Sequence, residues 1–192
     1  MNGAGWRGLV VGLLAITVTV SAFYWVLTFS PRQVTTTVTV LAPPLDGGGL
    51  GRVLDVCFSW SRRCDEMAVR LIDSARSKIL VAAYSLKNRW VAEALIRAHR
   101  RGIEVKVVLD ASQARAGGSH YWNLWLSGID VRTLWDARPM RYGFAVIDDD
   151  IVIAESYGFS RAEEGYESVV VLQGEVVRRY SEEFERLWAD AK

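Results

Sequence analysis

Two histidines are the only imidazole side chains among the 192 residues, so they are the first candidates for a neutral ring nitrogen that could act as nucleophile or base. His99 stands among three arginines on the charged face of a predicted helix, which favours a solvated helix end. His120 follows a predicted strand that ends at Asp110 and the loop 111–119. Loops at the carboxyl ends of strands line binding sites in open sheets. His120 is therefore a candidate ligand-binding residue, with an ordinary surface histidine as the simpler alternative.

The acidic run Asp148, Asp149 and Asp150 could attract a cation. Three successive acids between two short apolar runs are, however, more typical of a solvated hairpin turn. The histidines are far apart and there is no C-x-x-C pair, so we predict no metal site. The sequence indicates no cofactor.

Cys57 and Cys64 are the only cysteines and flank the junction of the first predicted strand and the first predicted helix. Outside the cytoplasm a disulfide would staple the strand to the helix; two small buried thiols are the alternative. We favour the disulfide because the chain also begins with an apolar segment of the kind that directs export.

That segment, 8–29, is a run of 22 residues without charge. As a helix it would span about 33 Å, close to the thickness of a bilayer's hydrocarbon core. We predict a cytoplasmic N-terminus at 1–7, a transmembrane anchor at 8–29, a linker at 30–50 and an extracytoplasmic domain. A signal peptide cleaved near Ala22, leaving a secreted protein, is the alternative.

Charge is unevenly distributed although the net charge is only +1. Residues 51–141 carry 16 Lys and Arg against 9 Asp and Glu, whereas residues 142–192 carry 5 against 12. A nearly neutral chain is not drawn to DNA or anionic lipid by bulk charge alone. The asymmetry indicates either an ordinary mixed surface or one basic face near a site for an anion.

Strand and helix patterns alternate from Arg52 onward, which predicts a layered α/β fold with a largely buried sheet. We predict strands at 53–59, 78–84, 104–109, 130–134, 144–147, 151–154 and 168–172, and helices at 65–76, 90–101, 121–127 and 175–189.

Five stretches of the domain are similar in order and spacing to the phospholipase D superfamily, and within it to the small exported bacterial endonucleases with one catalytic motif per chain. They are VCFSWSRRC (56–64), IDSARSKILVAAYSL (72–86), ALIRAHRRGIEVKVVLDASQ (94–113), SGIDV (127–131) and FAVIDDDIVIAESYGFS (144–160). The resemblance implies a phospholipase D-like domain at 51–192, with a central mixed sheet flanked by helices and preceded by the predicted transmembrane helix.

Members of that family carry the motif H-x-K-x-x-x-x-D. One histidine attacks phosphorus, a second protonates the leaving oxygen, and the lysine holds phosphate oxygens. Two motifs meet across a pseudo-twofold axis or a dimer interface, so the resemblance implies a homodimer across the site face. Trp122, Trp125 and Trp135 would suit such an interface if they are exposed, although burial is the commoner fate of tryptophan.

This chain departs from the motif. Arg141 occupies the histidine position, Gly143 the lysine position and Asp148 the aspartate position. Of the family's downstream G-S-x-N only Ser156 matches, and Glu167 lies where members often keep a carboxylate that orients the histidine. Asp148, Ser156 and Glu167 are therefore what the resemblance leaves of a catalytic set.

The two substitutions remove the groups that the chemistry needs. A guanidinium stays protonated at neutral pH and is no ordinary nucleophile, and glycine supplies no charge. Loss of a nucleophile alone costs a triad hydrolase about 10⁶-fold in rate. We therefore expect a degenerate domain that binds a phosphate-bearing ligand (nucleic acid or lipid headgroup) through Arg141, Ser156 and His120, or that acts by assembling as a dimer. An active phosphodiesterase or endonuclease with non-standard residues is the alternative.

Overall fold

A computed structural model describes residues 51–58, 63–136, 138–156, 159 and 168–192. The chain divides into two compact units between residues 43 and 44, and all described residues belong to the second unit. The predicted anchor at 8–29, the linker at 30–50 and Glu167 lie outside the described residues. Among the helices that are described, none is long and apolar enough to cross a membrane.

Strands and helices alternate along the described chain as the sequence predicts. Their bounds are β1 Arg52–Phe58, α1 Arg63–Ser74, β2 Lys78–Ala83, α2 Arg89–Arg100, β3 Glu104–Asp110, α3 Ala111–Ala114, α4 Tyr121–Leu126, β4 Asp130–Leu134, β5 Gly143–Ile147, β6 Ile151–Glu155, β7 Ser168–Gln173 and α5 Val176–Asp190. Two features differ from the prediction. Helix α1 covers Arg63–Ser74 rather than the predicted 65–76, and the short helix α3 was not predicted.

The strands form one mixed sheet in the order β1-β7-β6-β5-β2-β3-β4. Strands β2, β3 and β4 are parallel, and the other neighbouring pairs are antiparallel. The predicted class, an α/β fold with a central mixed sheet flanked by helices, is confirmed for this part of the chain.

Side-chain alternation along the strands builds a core on each face of the sheet. On β5, Ala145 and Ile147 belong to the core that includes residues of α1, α2 and α4. Phe144 and Val146 belong to the core formed with α5. The central strands are therefore buried on both faces, as their continuous apolar sequences predict.

We call one edge of the sheet the carboxyl edge. It contains the last residues of β1, β2, β3, β4 and β6 and the first residues of β5 and β7, because β5 and β7 run antiparallel to their neighbours. Gly143 pairs with Ala83 and with Glu155, and Asp110 pairs with Leu134. Every loop that leaves these strands at this edge can contribute to one site.

The structure confirms the disulfide. Cys57 near the end of β1 is bonded to Cys64 in α1, with Cα atoms 5.5 Å apart. Strand β1 lies at the margin of the sheet and pairs with β7. The bond therefore joins this marginal strand to the helical layer.

Candidate functional site

The motif segment enters the sheet in the middle of the carboxyl edge. Gly143 is buried between β2 and β6, whereas Arg141, two residues earlier, is exposed. Among the described residues Arg141 forms no ion pair or hydrogen bond through its side chain. Alternation places position 143 on the same face as Ala145, which is the face of α2 and α4. The segment thus presents a free guanidinium beside a position without a side chain.

The backbone before Arg141 is fixed by a buried carboxylate that sequence reasoning did not single out. Asp110 ends β3 and is only 6% exposed. Its Oδ1 accepts hydrogen bonds from the N–H and hydroxyl of Ser112 at 2.9 and 2.6 Å, which caps helix α3. Its Oδ2 accepts the N–H of Met140 at 2.9 Å. The available signal was an aspartate at the end of a buried strand, followed two residues later by serine.

His120 lies at the same edge and towards the same face. Its backbone N–H donates to the carbonyl of Leu86, just beyond β2, at 2.9 Å. His120 is half-buried and precedes helix α4 without capping it through its side chain. Helix α4, which follows His120 directly, packs on the face of the sheet that contains Ala145, and the ligand role of His120 stays a prediction.

Ser156 also lies at the carboxyl edge, one residue after β6. Two hydrogen bonds join it to Ser168. The Ser156 backbone N–H donates to the Ser168 carbonyl at 3.2 Å, and the Ser156 Oγ accepts the Ser168 backbone N–H at 3.1 Å. The hydroxyl is exposed and retains its own proton for donation to an anion.

Asp148 does not lie with these residues. It follows β5 at the opposite end, five residues from Gly143, which corresponds to about 17 Å along an extended strand. Its carboxylate accepts hydrogen bonds of 2.8–3.0 Å from the N–H groups of Arg76, Ser77 and Lys78 and from the Ser77 hydroxyl. The structure therefore brings Asp148 together with the segment before β2 and not with Arg141, His120 and Ser156.

Burial acts to raise the pKa of Asp148, but hydrogen bonds from Lys78, Ser77 and Arg76 outweigh it and hold the pKa below its usual value. Asp148 and Asp149 have φ angles of 54° and 55°, the left-handed geometry of a tight hairpin. Asp149 pairs with Lys78 at 2.7 Å, and Asp150 accepts a hydrogen bond from Gln173. The acidic run is thus the turn that the sequence predicts. No three acidic, histidine or cysteine side chains in the described ranges are grouped to hold a metal ion.

Tyr142, between the two altered motif positions, belongs to the other face of the sheet. Its ring stacks on Phe144, and its hydroxyl donates to Glu183 of α5 at 2.5 Å. Burial and the carboxylate of Glu183 raise the pKa of Tyr142 to about 12. A phenol with that pKa is not a substitute nucleophile at neutral pH.

Backbone hydrogen bonds also join the loop after β2 to Phe159. The Phe159 carbonyl accepts the N–H groups of Lys87 and Asn88 at 2.9 and 3.0 Å. The buried Asn88 caps α2 and donates to Asp65 at 2.8 Å. Asp65, in the first turn of α1, therefore contacts the N-cap residue of α2.

Several exposed arginines lie in the segments that adjoin the strands at the carboxyl edge. Arg115 is exposed after α3, and Arg138 and Arg141 precede β5. Arg138 is 91% exposed and 3.8 Å from Asp136. The opposite edge carries the acidic turn 148–150, with Arg52, Arg76 and Lys78 at the same edge. The charge asymmetry of the sequence is therefore not an asymmetry between the two edges of the sheet.

Sheet order and the place of the motif segment put the chain in the class of phospholipase D-type α/β domains. The structure of Nuc from Salmonella typhimurium, a phospholipase D family member, matches with a TM-score of 0.64 and 25% identity, covering 74% of this chain and 97% of that one. NucT from Helicobacter pylori shows the same fold, with a TM-score of 0.63 and 21% identity, covering 71% and 97%.

The chain belongs to the phospholipase D-like family described as "Cardiolipin synthase, PLD-like domain", whose model matches residues 68–188. Mitochondrial cardiolipin hydrolase of Mus musculus is 30% identical over 166 residues, covering 84% of this chain and 74% of that protein. A protein of Rickettsia prowazekii named phospholipase D is 26% identical over 141 residues, covering 72% and 67%. The resemblance inferred from the sequence is confirmed at the level of the superfamily.

Proposed function

We propose that this protein is a membrane-tethered phospholipase D-like domain that binds a phosphate-bearing ligand at the carboxyl edge and lacks the family's hydrolytic chemistry. The observation that carries the proposal is the pair Arg141 and Gly143 at the start of β5. A nucleophilic imidazole and a phosphate-binding ammonium would be needed there. A guanidinium and a bare backbone occupy these positions instead.

Binding is supported by the groups that remain at this edge. Arg141 is an exposed guanidinium suited to bidentate contact with phosphate oxygens. The Ser156 hydroxyl and the His120 imidazole can donate further hydrogen bonds. The family's assembly implies that a second copy would bring an equivalent edge into one site, so we also propose a homodimer across this face.

The tether is proposed from residues 8–29, whose length and lack of charge suit a single transmembrane helix. With residues 1–7 in the cytoplasm, the domain lies outside the cytoplasm, where a disulfide such as Cys57–Cys64 is stable. Cleavage near Ala22 would give a secreted form instead.

A hydrolase with non-standard residues is the second candidate, favoured by the retained Ser156 and by relatives named cardiolipin hydrolase and phospholipase D. A hydrolysis assay distinguishes the binding function from the hydrolase. The full chain is tested with bis-(p-nitrophenyl) phosphate, DNA and cardiolipin vesicles, next to Arg141→His, Gly143→Lys and the double variant. We expect no turnover above blank for the wild type and the single variants, and turnover only when both groups are restored.

Wild-type hydrolysis that is lost in Arg141→Ala would overturn the proposal in favour of the second candidate. The single variants are matched controls, because each changes the same segment while restoring only one of the two groups. Circular dichroism checks that all variants retain the fold.

A further inference from the structure

Tyr142 directly follows Arg141 and is attached to helix α5 through its hydroxyl and its ring. The hydroxyl donates to the Glu183 carboxylate at 2.5 Å. The ring is stacked on Phe144, with centroids 6.2 Å apart and ring planes 8° apart. Phe144 in turn contacts the ring of Tyr180 on α5, with centroids 5.1 Å apart. The neighbour of the free guanidinium is therefore held by the helix on the other face of the sheet.

We infer that the contact between Tyr142 and Glu183 positions Arg141 for binding of a phosphate-bearing anion. The inference deepens the proposed function and rests on the binding role of Arg141. Phe144, on which Tyr142 is stacked, belongs to the core formed with α5, whereas position 143 is on the other face. Tyr142 and Glu183 therefore act through Arg141 and do not touch the anion themselves.

The strand alone does not hold Arg141 and Tyr142, because β5 begins only at Gly143. On the other side of Arg141, the backbone N–H of the buried Met140 donates to Asp110 at 2.9 Å. The hydroxyl bond of Tyr142 supplies the second fixed point, so the backbone is held on both sides of the guanidinium. Ordering a flexible residue on binding costs free energy, and a segment that is already ordered avoids this cost.

The acceptor of the tyrosine hydrogen bond is itself held in place. Arg186, one turn further along α5, donates from Nε and Nη2 to the two carboxylate oxygens of Glu183 at 2.9 and 2.8 Å. These bonds and the one from Tyr142 outweigh burial and hold the pKa of Glu183 below its usual value. With a pKa of about 12, the Tyr142 hydroxyl stays protonated. Donor and acceptor therefore keep their protonation states at neutral pH.

Charge and positioning predict opposite effects for Glu183. A carboxylate repels an anion, and its removal leaves Arg186 without its closest acid, so by Coulomb's law alone Glu183→Ala should strengthen phosphate binding. If Glu183 instead fixes Tyr142, its removal frees the segment that carries Arg141 and weakens binding. The direction of the effect therefore distinguishes the two roles.

Titration of the full chain with inorganic phosphate tests the inference, with ³¹P line broadening as the measurement. Tyr142→Phe removes the hydroxyl and keeps the ring on Phe144. Tyr180→Phe is the matched control, because the Tyr180 hydroxyl forms no hydrogen bond within the described residues and its ring also contacts Phe144. Glu182→Ala is the control for Glu183→Ala, because it removes the same charge from the next position of α5, where the carboxylate pairs within the helix.

We expect Tyr142→Phe and Glu183→Ala each to weaken phosphate binding about 3- to 10-fold. The double variant should bind no more weakly than the weaker single variant, since both changes break one contact. Glu183→Gln keeps an oxygen that can accept the hydroxyl bond, so its affinity should lie between those of the wild type and Glu183→Ala. The backbone order parameter of Arg141 should fall in Tyr142→Phe, and neither control should weaken binding.

Wild-type affinity in Tyr142→Phe would overturn the inference, even in a less stable variant, because Tyr142 would then have a structural role only. Stronger binding by Glu183→Ala would overturn it as well, since charge alone would explain that effect. Arg141→Ala separates the inference from the proposed function. If Arg141→Ala weakens binding and Tyr142→Phe does not, the inference alone fails. Absence of phosphate binding by the wild type, or equal affinity of the wild type and Arg141→Ala, contradicts both.

Discussion

The Asp110 carboxylate accepts a hydrogen bond from the Met140 backbone N–H at 2.9 Å, which connects two residues that are 30 positions apart in the chain. Because the other carboxylate oxygen caps α3, one buried side chain fixes both the loop after β3 and the segment before β5. Arg141 follows Met140 directly. Its guanidinium therefore extends from backbone that is held at the end of β3.

Asp110→Ala is expected to lower the free energy of unfolding by about 2–3 kcal/mol, since it leaves the Met140 N–H without its buried acceptor. Asp110→Asn keeps the acceptor for Ser112 but turns a donor towards Met140. It should weaken anion binding with a smaller loss of stability. Urea denaturation and phosphate titration measure the two effects. Asp130→Ala, at an exposed acid that begins β4 on the opposite edge, is the control, and unchanged affinity in Asp110→Asn would contradict this positioning role.

Arg141→Ala is expected to weaken binding of inorganic phosphate about 10- to 100-fold, because a charge-assisted hydrogen-bond pair is lost. Arg141→Lys keeps the charge but not the planar donor pair, so its affinity for phosphate should lie between those of the wild type and Arg141→Ala. Line broadening in the ³¹P spectrum measures the affinity. Arg178→Ala removes an arginine that is paired with Glu175 and Glu182 on α5 and should have no effect. Equal affinity of Arg141→Ala and wild type would contradict the proposed site.

Asp148→Asn is expected to lower the free energy of unfolding at neutral pH by about 1 kcal/mol, because one amide oxygen replaces two carboxylate acceptors. The folded-state pKa of Asp148 lies below its unfolded value. Its stabilising contribution is therefore complete above the unfolded pKa of about 4 and is lost as the pH falls through the folded value. Denaturation between pH 6 and pH 2 should show a smaller acid-induced loss in the variant. Asp150→Asn is the control, and parallel curves for wild type and Asp148→Asn would be the contrary result.

Reduction of Cys57–Cys64, or the double serine variant, is expected to lower the free energy of unfolding by about 2.5 kcal/mol. The two cysteines are seven residues apart, and closing so short a loop removes limited freedom from the unfolded chain. Since the bond holds β1 to α1, hydrogen exchange should quicken most in β1. Uniform exchange across the sheet would show that β1 does not depend on the bond.

The sequence predicted most of the fold because its central strands have an unambiguous physical signature. Residues 79–83 are an apolar run of strand length that is buried on both faces, and residues 105–109 depart from this pattern only at the half-buried Lys106. The hairpin at 148–150 was likewise predictable from its local sequence, and the disulfide from the presence of one cysteine pair in a chain with a predicted export segment. Helix α3 was not, because its four residues carry no periodic apolar pattern and depend on a cap from Asp110.

The site was harder to predict because the spacing of motif residues along the chain does not give their distance in the folded structure. Arg141 and Asp148 belong to one motif, yet an extended strand carries Asp148 to the opposite edge of the sheet. Asp110 and Met140 belong to no shared pattern, yet they are in contact. Periodicity shows which face a residue occupies, whereas contacts across loops depend on strand order, which the sequence did not specify.

Strand β1 has a practical consequence for work on this protein. Val53, Leu54 and Val56 are substantially exposed, and β1 has one neighbour, β7, among the described strands. A long apolar margin with unshielded peptide groups is a template for intermolecular pairing and aggregation. Self-association through β1 should therefore increase with protein concentration, and Val53→Lys should reduce it.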